Sequence, residues 1–168
     1  ELADPEHQDT ELHAYASDAR MGQAGLENPV FWRKLGQWIL SKDEPARALE
    51  CFDRASKLSS DNHAYKFLTI DLLSSMGRND EANSAIESVP AGTSGRSFYQ
   101  AKILNRQGNE LEAISHLEFA ILEDPDFLPA YEELLGILEK QPENPLFEFW
   151  VDQSVLLMPK SPRVAYSY

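Results

Sequence analysis

Apolar residues recur at helical spacing along most of the chain, in paired runs separated by short polar breaks such as Lys42-Asp43-Glu44, Gly77-Arg78-Asn79-Asp80 and Gly108-Asn109-Glu110. A period near 3.6 residues predicts amphipathic helix, and no segment has the period-two alternation of a strand. Asn28 before Pro29, Asn109 with Glu112 three residues on, and Asn144 before Pro145 have the chemistry of helix starts. Gly77, Gly108 and the stretch from Pro90 to Gly95 have that of helix stops. The pattern predicts an N-terminal helix near 8–26, then helix pairs near 29–42 with 44–58, 63–76 with 79–89, 95–107 with 110–123, and 128–140 with 145–158.

A longer period is superposed on the helical one. Ala48, Ala82, Ala113 and Phe147 follow one another at spacings of 34, 31 and 34, and the same intervals relate Phe52, Ile86, Leu117 and Val151, and Ala55, Val89, Ala120 and Ser154. Self-similarity at such an interval signals a serial array in which each helical pair shelters the apolar side of its neighbour. The expected organisation is an N-terminal cap or end of a preceding repeat over 1–28, repeats at 29–62, 63–93 (short and degenerate), 94–127 and 128–161 (divergent), and the start of a further repeat at 162–168.

These residues resemble the tetratricopeptide repeat. Trp32, Leu35, Gly36, Ile39, Ala48, Phe52 and Ala55 occupy the signature positions of the first unit, and Ala101, Leu104, Gly108, Ala113, Leu117, Ala120 and Pro125 those of the third. The second keeps Leu73, Gly77, Ala82 and Ile86, and the fourth Tyr131, Leu134, Leu138 and Pro159. The resemblance implies an all-α fold, a right-handed α-α superhelix of antiparallel helix hairpins. Small residues let paired helices approach, as Gly36 against Ala48 and Ala101 against Ala113 would allow. Bulky Leu135 and Phe147 in the fourth unit therefore predict a wider or rotated helix pair there, and the shortening between the second and third units predicts a perturbed superhelical turn.

The resemblance also implies a role: a non-catalytic scaffold for protein–protein interaction, binding a protein segment in a concave groove lined by the first helix of each hairpin. By that register the candidate groove residues are Arg33, Gln37, Phe67, Asp71, Phe98, Lys102, Asn105 and Arg106, with Val30, Leu40, Ser74, Glu132, Gly136 and Glu139 beside them. Arg33, Lys102 and Arg106 would be cations on an acidic protein, and Phe67 and Phe98 flat apolar anchors. The cationic clamp by which chaperone-binding members hold a terminal carboxylate is not reproduced, because Leu68, Gly95 and Tyr99 stand at its positions. Lys102 and Arg106, one turn apart, could pair a carboxylate elsewhere in a ligand.

Composition narrows the partners further. The 168 residues are 42% hydrophobic with a formal charge of −13, a field that repels polyphosphate backbones and anionic bilayers and so argues against nucleic acid and bare membrane as partners. No apolar run approaches the ~18 residues of a membrane span. Cys51 is the single cysteine, so no intrachain disulfide forms, and beside Phe52 it reads as a small core hydrophobe. His7 and His13 fall on different faces of a helix, and His63 and His116 read as structural. No catalytic constellation, metal site or cofactor is expected. The fourth unit, with Phe127, Leu128, Tyr131, Leu146, Phe147, Phe149, Trp150, Val151, Leu156 and Leu157, is the most apolar part of the chain. It is expected to be covered by a following repeat, in which Val164 and Tyr168 would face the core, or by self-association. The alternatives to a scaffold are a regulatory or targeting domain of a larger enzyme and an envelope assembly factor; a cytoplasmic setting is favoured, with a periplasmic one open.

Overall fold

The structure is a computed structural model describing residues 26–141 and 143–157. The expected N-terminal helix with His7 and His13, residues 162–168 with Val164 and Tyr168, and the side chains of Leu156 and Leu157 lie outside the described part. Among the described residues there are eight α-helices and no strand: α1 Pro29–Ser41, α2 Pro45–Leu58, α3 His63–Ser75, α4 Asn79–Glu87, α5 Arg96–Arg106, α6 Glu110–Glu123, α7 Leu128–Leu138 and α8 Pro145–Leu157. Their ends fall within two residues of those read from the breaks and caps.

Local chemistry accounts for the ends. Asn28 accepts a hydrogen bond from the Val30 N–H at 2.9 Å and Pro29 opens α1; Asn62 caps α3 through Ala64 at 3.1 Å, and Asn144 caps α8 through Leu146 at 3.1 Å. Asn109 holds the N-cap position of α6, but its side chain makes no capping bond, so the capping box expected with Glu112 does not form. After α1, α3 and α5 the backbone turns through the left-handed region, at Asp43 (φ 61°), Gly77 (φ 73°) and Gly108 (φ 83°). The two glycines are suited to that conformation; Asp43 is not.

The chain forms two compact units that divide between Arg78 and Asn79, inside the stretch 63–93. In unit 1, α1 and α2 form a close hairpin and α3 packs on α2, around a core of Ile39, Ala48, Cys51, Phe52 and Leu72. Gly36 permits the α1–α2 approach. A Cβ there would lie 2.6 Å from Phe52 Cε1 and 3.1 Å from Cys51 Cβ, so the Phe52 ring is what stands nearest to it. In unit 2 neighbours stack in sequence from α4 to α8, and α5 also meets α7, over a core that includes Ala101, Ala113, Leu117, Ala120, Leu134, Leu135 and Val151.

The repeat register is also the burial register. Ala48, Ala82 and Ala113, then Phe52, Ile86, Leu117 and Val151, then Ala55, Val89, Ala120 and Ser154 are all buried. Phe147 is the exception, half-buried at the core's edge. Leu135 is fully buried, and α7 and α8 stay in close approach over a shorter stretch than α5 and α6 or α1 and α2.

Candidate protein-binding surfaces

Each candidate groove residue sits on a first helix, and the structure separates them into exposed and core groups. In unit 1, the Arg33 guanidinium on α1 donates to the Gln37 amide oxygen one turn on, at 3.1 Å, and Gln37 is exposed. On α3 Phe67 is 6% exposed and Ser74 is buried as well, while Asp71 is half-buried. Tyr65, Ile70, Leu72 and Leu73 are also buried, so α3 is an interior helix on several faces rather than an amphipathic one.

In unit 2, Phe98 on α5 is 7% exposed and packs edge-on against Tyr99 and Phe127, with ring centroids 5.2 and 5.1 Å away. Phe67 and Phe98 are therefore core residues and are not available as flat anchors for a ligand. Lys102 lies half-buried with its ammonium 5.6 Å from the Phe98 centroid and 5.7 Å from that of Tyr99, a placement that draws its stem onto the aromatic edge. Arg106, one turn on, is exposed. Asn105 Nδ2 donates to Glu133 Oε1 on α7 at 3.0 Å, so consecutive first helices in this unit share one polar surface bearing Lys102, Asn105, Arg106 and Glu133.

Two features of unit 2 are not among the candidates. A cleft of about 540 Å³ opens beside the α4–α5 connection, lined by Thr93, Arg96, Gln100, His116, Phe119 and Glu123 among others. Next to it, the outer side of α6 exposes Leu111, Phe119 and Leu122. The available signal was that all three fall outside the buried register of Ala113, Leu117 and Ala120. In the fourth unit, Tyr131 and Val151 are buried, Trp150 donates to Glu118 at 3.2 Å, and Leu128, Leu146 and Phe149 remain exposed. Cys51 lies in the unit 1 core, and burial pushes its thiol up, with Glu50 adding to the shift and Arg47 opposing it. Among the described residues no helix is long and apolar enough to cross a membrane, and no group of three or more His, Cys, Asp or Glu is placed to hold a metal ion.

Solved structures with the same arrangement of helices exist. The chain superposes on MamA (residues 41 to the end) from Desulfovibrio magneticus RS-1 with a TM-score of 0.65 at 14% identity, over 92% of this chain and 88% of that one. A second MamA structure gives 0.63 at 16% identity, over 91% and 90%. YrrB, described as a TPR protein with an unusual peptide-binding site, gives 0.59 at 13% identity, over 96% and 84%. The chain has the tetratricopeptide-repeat fold. No protein-family model matches it, and no curated protein sequence does. At these identities the tetratricopeptide-repeat neighbours establish the fold alone; Leu135 and Phe147 mark where this array departs from the small-residue rule of its own earlier hairpins.

Proposed function

We propose that the chain is a non-catalytic protein-interaction module that binds a carboxylate-bearing protein segment along α5 and α7, the first helices of its unit 2 hairpins. The observation that carries this reading is the shared surface of α5 and α7, where the Asn105–Glu133 bond joins the helices beside Lys102 and Arg106. Two cations one turn apart on a rigid helix match the spacing of a carboxylate and a neighbouring acceptor in a ligand. Stacked helices are ordered before the ligand arrives, so most of the entropic cost of association falls on the incoming segment. Arg33 and Gln37 on α1 would offer a polar surface of their own on unit 1. That YrrB has a peptide-binding site on the same fold is consistent with this role.

The test is affinity capture of partners with the full-length protein, followed by titration of a captured partner against Lys102→Glu/Arg106→Glu. Affinity should fall at least about tenfold while the far-UV circular dichroism stays that of the parent. Unchanged affinity removes these cations from the binding surface.

A further inference from the structure

We propose that the outer face of α6 is a second docking surface, which takes a lysine- and arginine-rich amphipathic helix of a partner protein. Side chains at 111, 115, 119 and 122 point to one side of a helix, opposite Ala113, Leu117, Ala120 and Ile121, which are buried. Three of the four outward residues are large and apolar: Leu111 is 76% exposed, Phe119 53% and Leu122 77%. The stripe they form runs about 16 Å along the helix, the length of three turns of a partner helix. Phe119 also lines the adjoining cleft, so the stripe has a recess beside it that can receive a bulky side chain. Isolated exposed apolar residues need no explanation, but three in line on one helix face do.

Charge identifies the occupant. Glu118 flanks the stripe on one side, Glu112 and Glu123 on the other. Glu118 accepts its hydrogen bond from the Trp150 indole and Glu123 from the Ser97 hydroxyl, both neutral donors, and the adjoining cleft adds the single cation Arg96 to its lining. α6 contains no lysine or arginine. Residues 79–157 as a whole carry fifteen Asp and Glu against four Lys and Arg, a net −11. A second copy of the chain would bring the same negative field to the interface. Residues 1–25, with six carboxylates and one arginine, are mismatched in the same way. A helix whose apolar face is bordered by cations satisfies both the stripe and its rim.

The surface is independent of the α5–α7 reading and is tested separately. The probe is a synthetic leucine–lysine peptide of about eighteen residues, five helical turns, with all leucines on one face; a scramble of equal charge spreads them round the helix. The full-length protein should bind the amphipathic peptide at least about tenfold more tightly than the scramble, and Leu111→Ser/Leu122→Ser should erase that preference. The serines replace exposed side chains, so circular dichroism and the urea midpoint should not change; Glu112→Lys/Glu118→Lys, which spares the apolar stripe, should weaken both peptides. Lys102→Glu/Arg106→Glu should leave the preference intact. Equal affinity for the two peptides, or a preference that survives the serine substitutions, overturns the proposal. So does parent self-association in sedimentation that the serine substitutions abolish, which would assign the face to a second copy.

Discussion

Gly36 allows the α1–α2 packing to be tested by the sign of a single substitution. In an exposed helix interior, Gly→Ala gains about 1 kcal/mol from helix propensity. At this position the new methyl would stand 2.6 Å from Phe52 Cε1 and 2.8 Å from Cδ1, about 1 Å inside the preferred carbon–carbon separation. The ring cannot swing away cheaply, because Phe52 is buried among Ile39, Ala48 and Leu72. Overpacking of a tight core costs about 1–3 kcal/mol, and so close a contact with a buried ring belongs at the upper end. The two effects leave Gly36→Ala destabilising by about 1–2 kcal/mol. Urea unfolding in a Trp150→Phe background reads this directly, since the chain has three tryptophans and the remaining two, Trp32 and Trp38, lie in unit 1. Shrinking the obstacle with Phe52→Leu should make Gly36→Ala neutral or stabilising, a coupling of about 1 kcal/mol or more in the double-mutant cycle. A raised urea midpoint for Gly36→Ala with Phe52 intact would refute the close approach.

Other substitutions separate backbone, capping and ionisation effects. Asp43 holds φ at 61° where the equivalent positions are Gly77 and Gly108; Asp43→Gly should stabilise unit 1 by about 0.5 kcal/mol, and Gly108→Ala should cost about 1 kcal/mol although its Cβ would meet open space, both read as urea midpoints. Asn62→Ala removes the bond to Ala64 and should cost about 1 kcal/mol, whereas Asn109→Ala, which loses no capping bond, should cost a few tenths; a full cost at Asn109 would mean that it caps α6 in solution. The Cys51 thiol is raised above its ordinary value by burial. The unfolded state therefore loses that proton first, and the thiol's contribution to stability is intact below about pH 8.5 and declines above it as the unfolded thiol ionises. Cys51→Ala should lower stability at neutral pH and flatten the alkaline slope, and the native thiol should react with a disulfide reagent only as fast as the unit opens.

The array was legible because its packing is repetitive. A helix pair can close only on small or well-shaped residues at fixed positions, so Ala48, Ala82 and Ala113 had to recur. Helix ends were legible where a side chain supplies the missing bond, at Asn28, Asn62 and Asn144, and misleading at Asn109, where the residue fits and the bond is not made. The groove was less legible. Phe67 and Ser74 occupy positions assigned to the ligand side, yet α3 is buried on several faces; register gives the direction of a side chain but not what covers it. The exposed leucines of α6 were missed for a related reason. A helix apolar on two sides gives no clear stripe in sequence, and only burial shows which side the core takes.

The uneven charge of the chain bears on how the two proposed surfaces would divide their work. Residues 1–78 carry a net −4, against −9 for 79–168, so the field that draws a cationic partner is strongest around unit 2. Beyond the Debye length of about 8 Å at physiological salt that field is screened, and within it any cation is favoured, whatever its sequence. Electrostatics alone would raise the encounter rate without choosing among basic partners. The choice falls to what only a matched surface can bury, which on α6 is Leu111, Phe119 and Leu122. Raising the salt concentration should therefore slow association of the leucine–lysine peptide and of its scramble alike, while the difference in their dissociation rates persists. A difference that vanished with salt would mean that the apolar stripe contributes nothing.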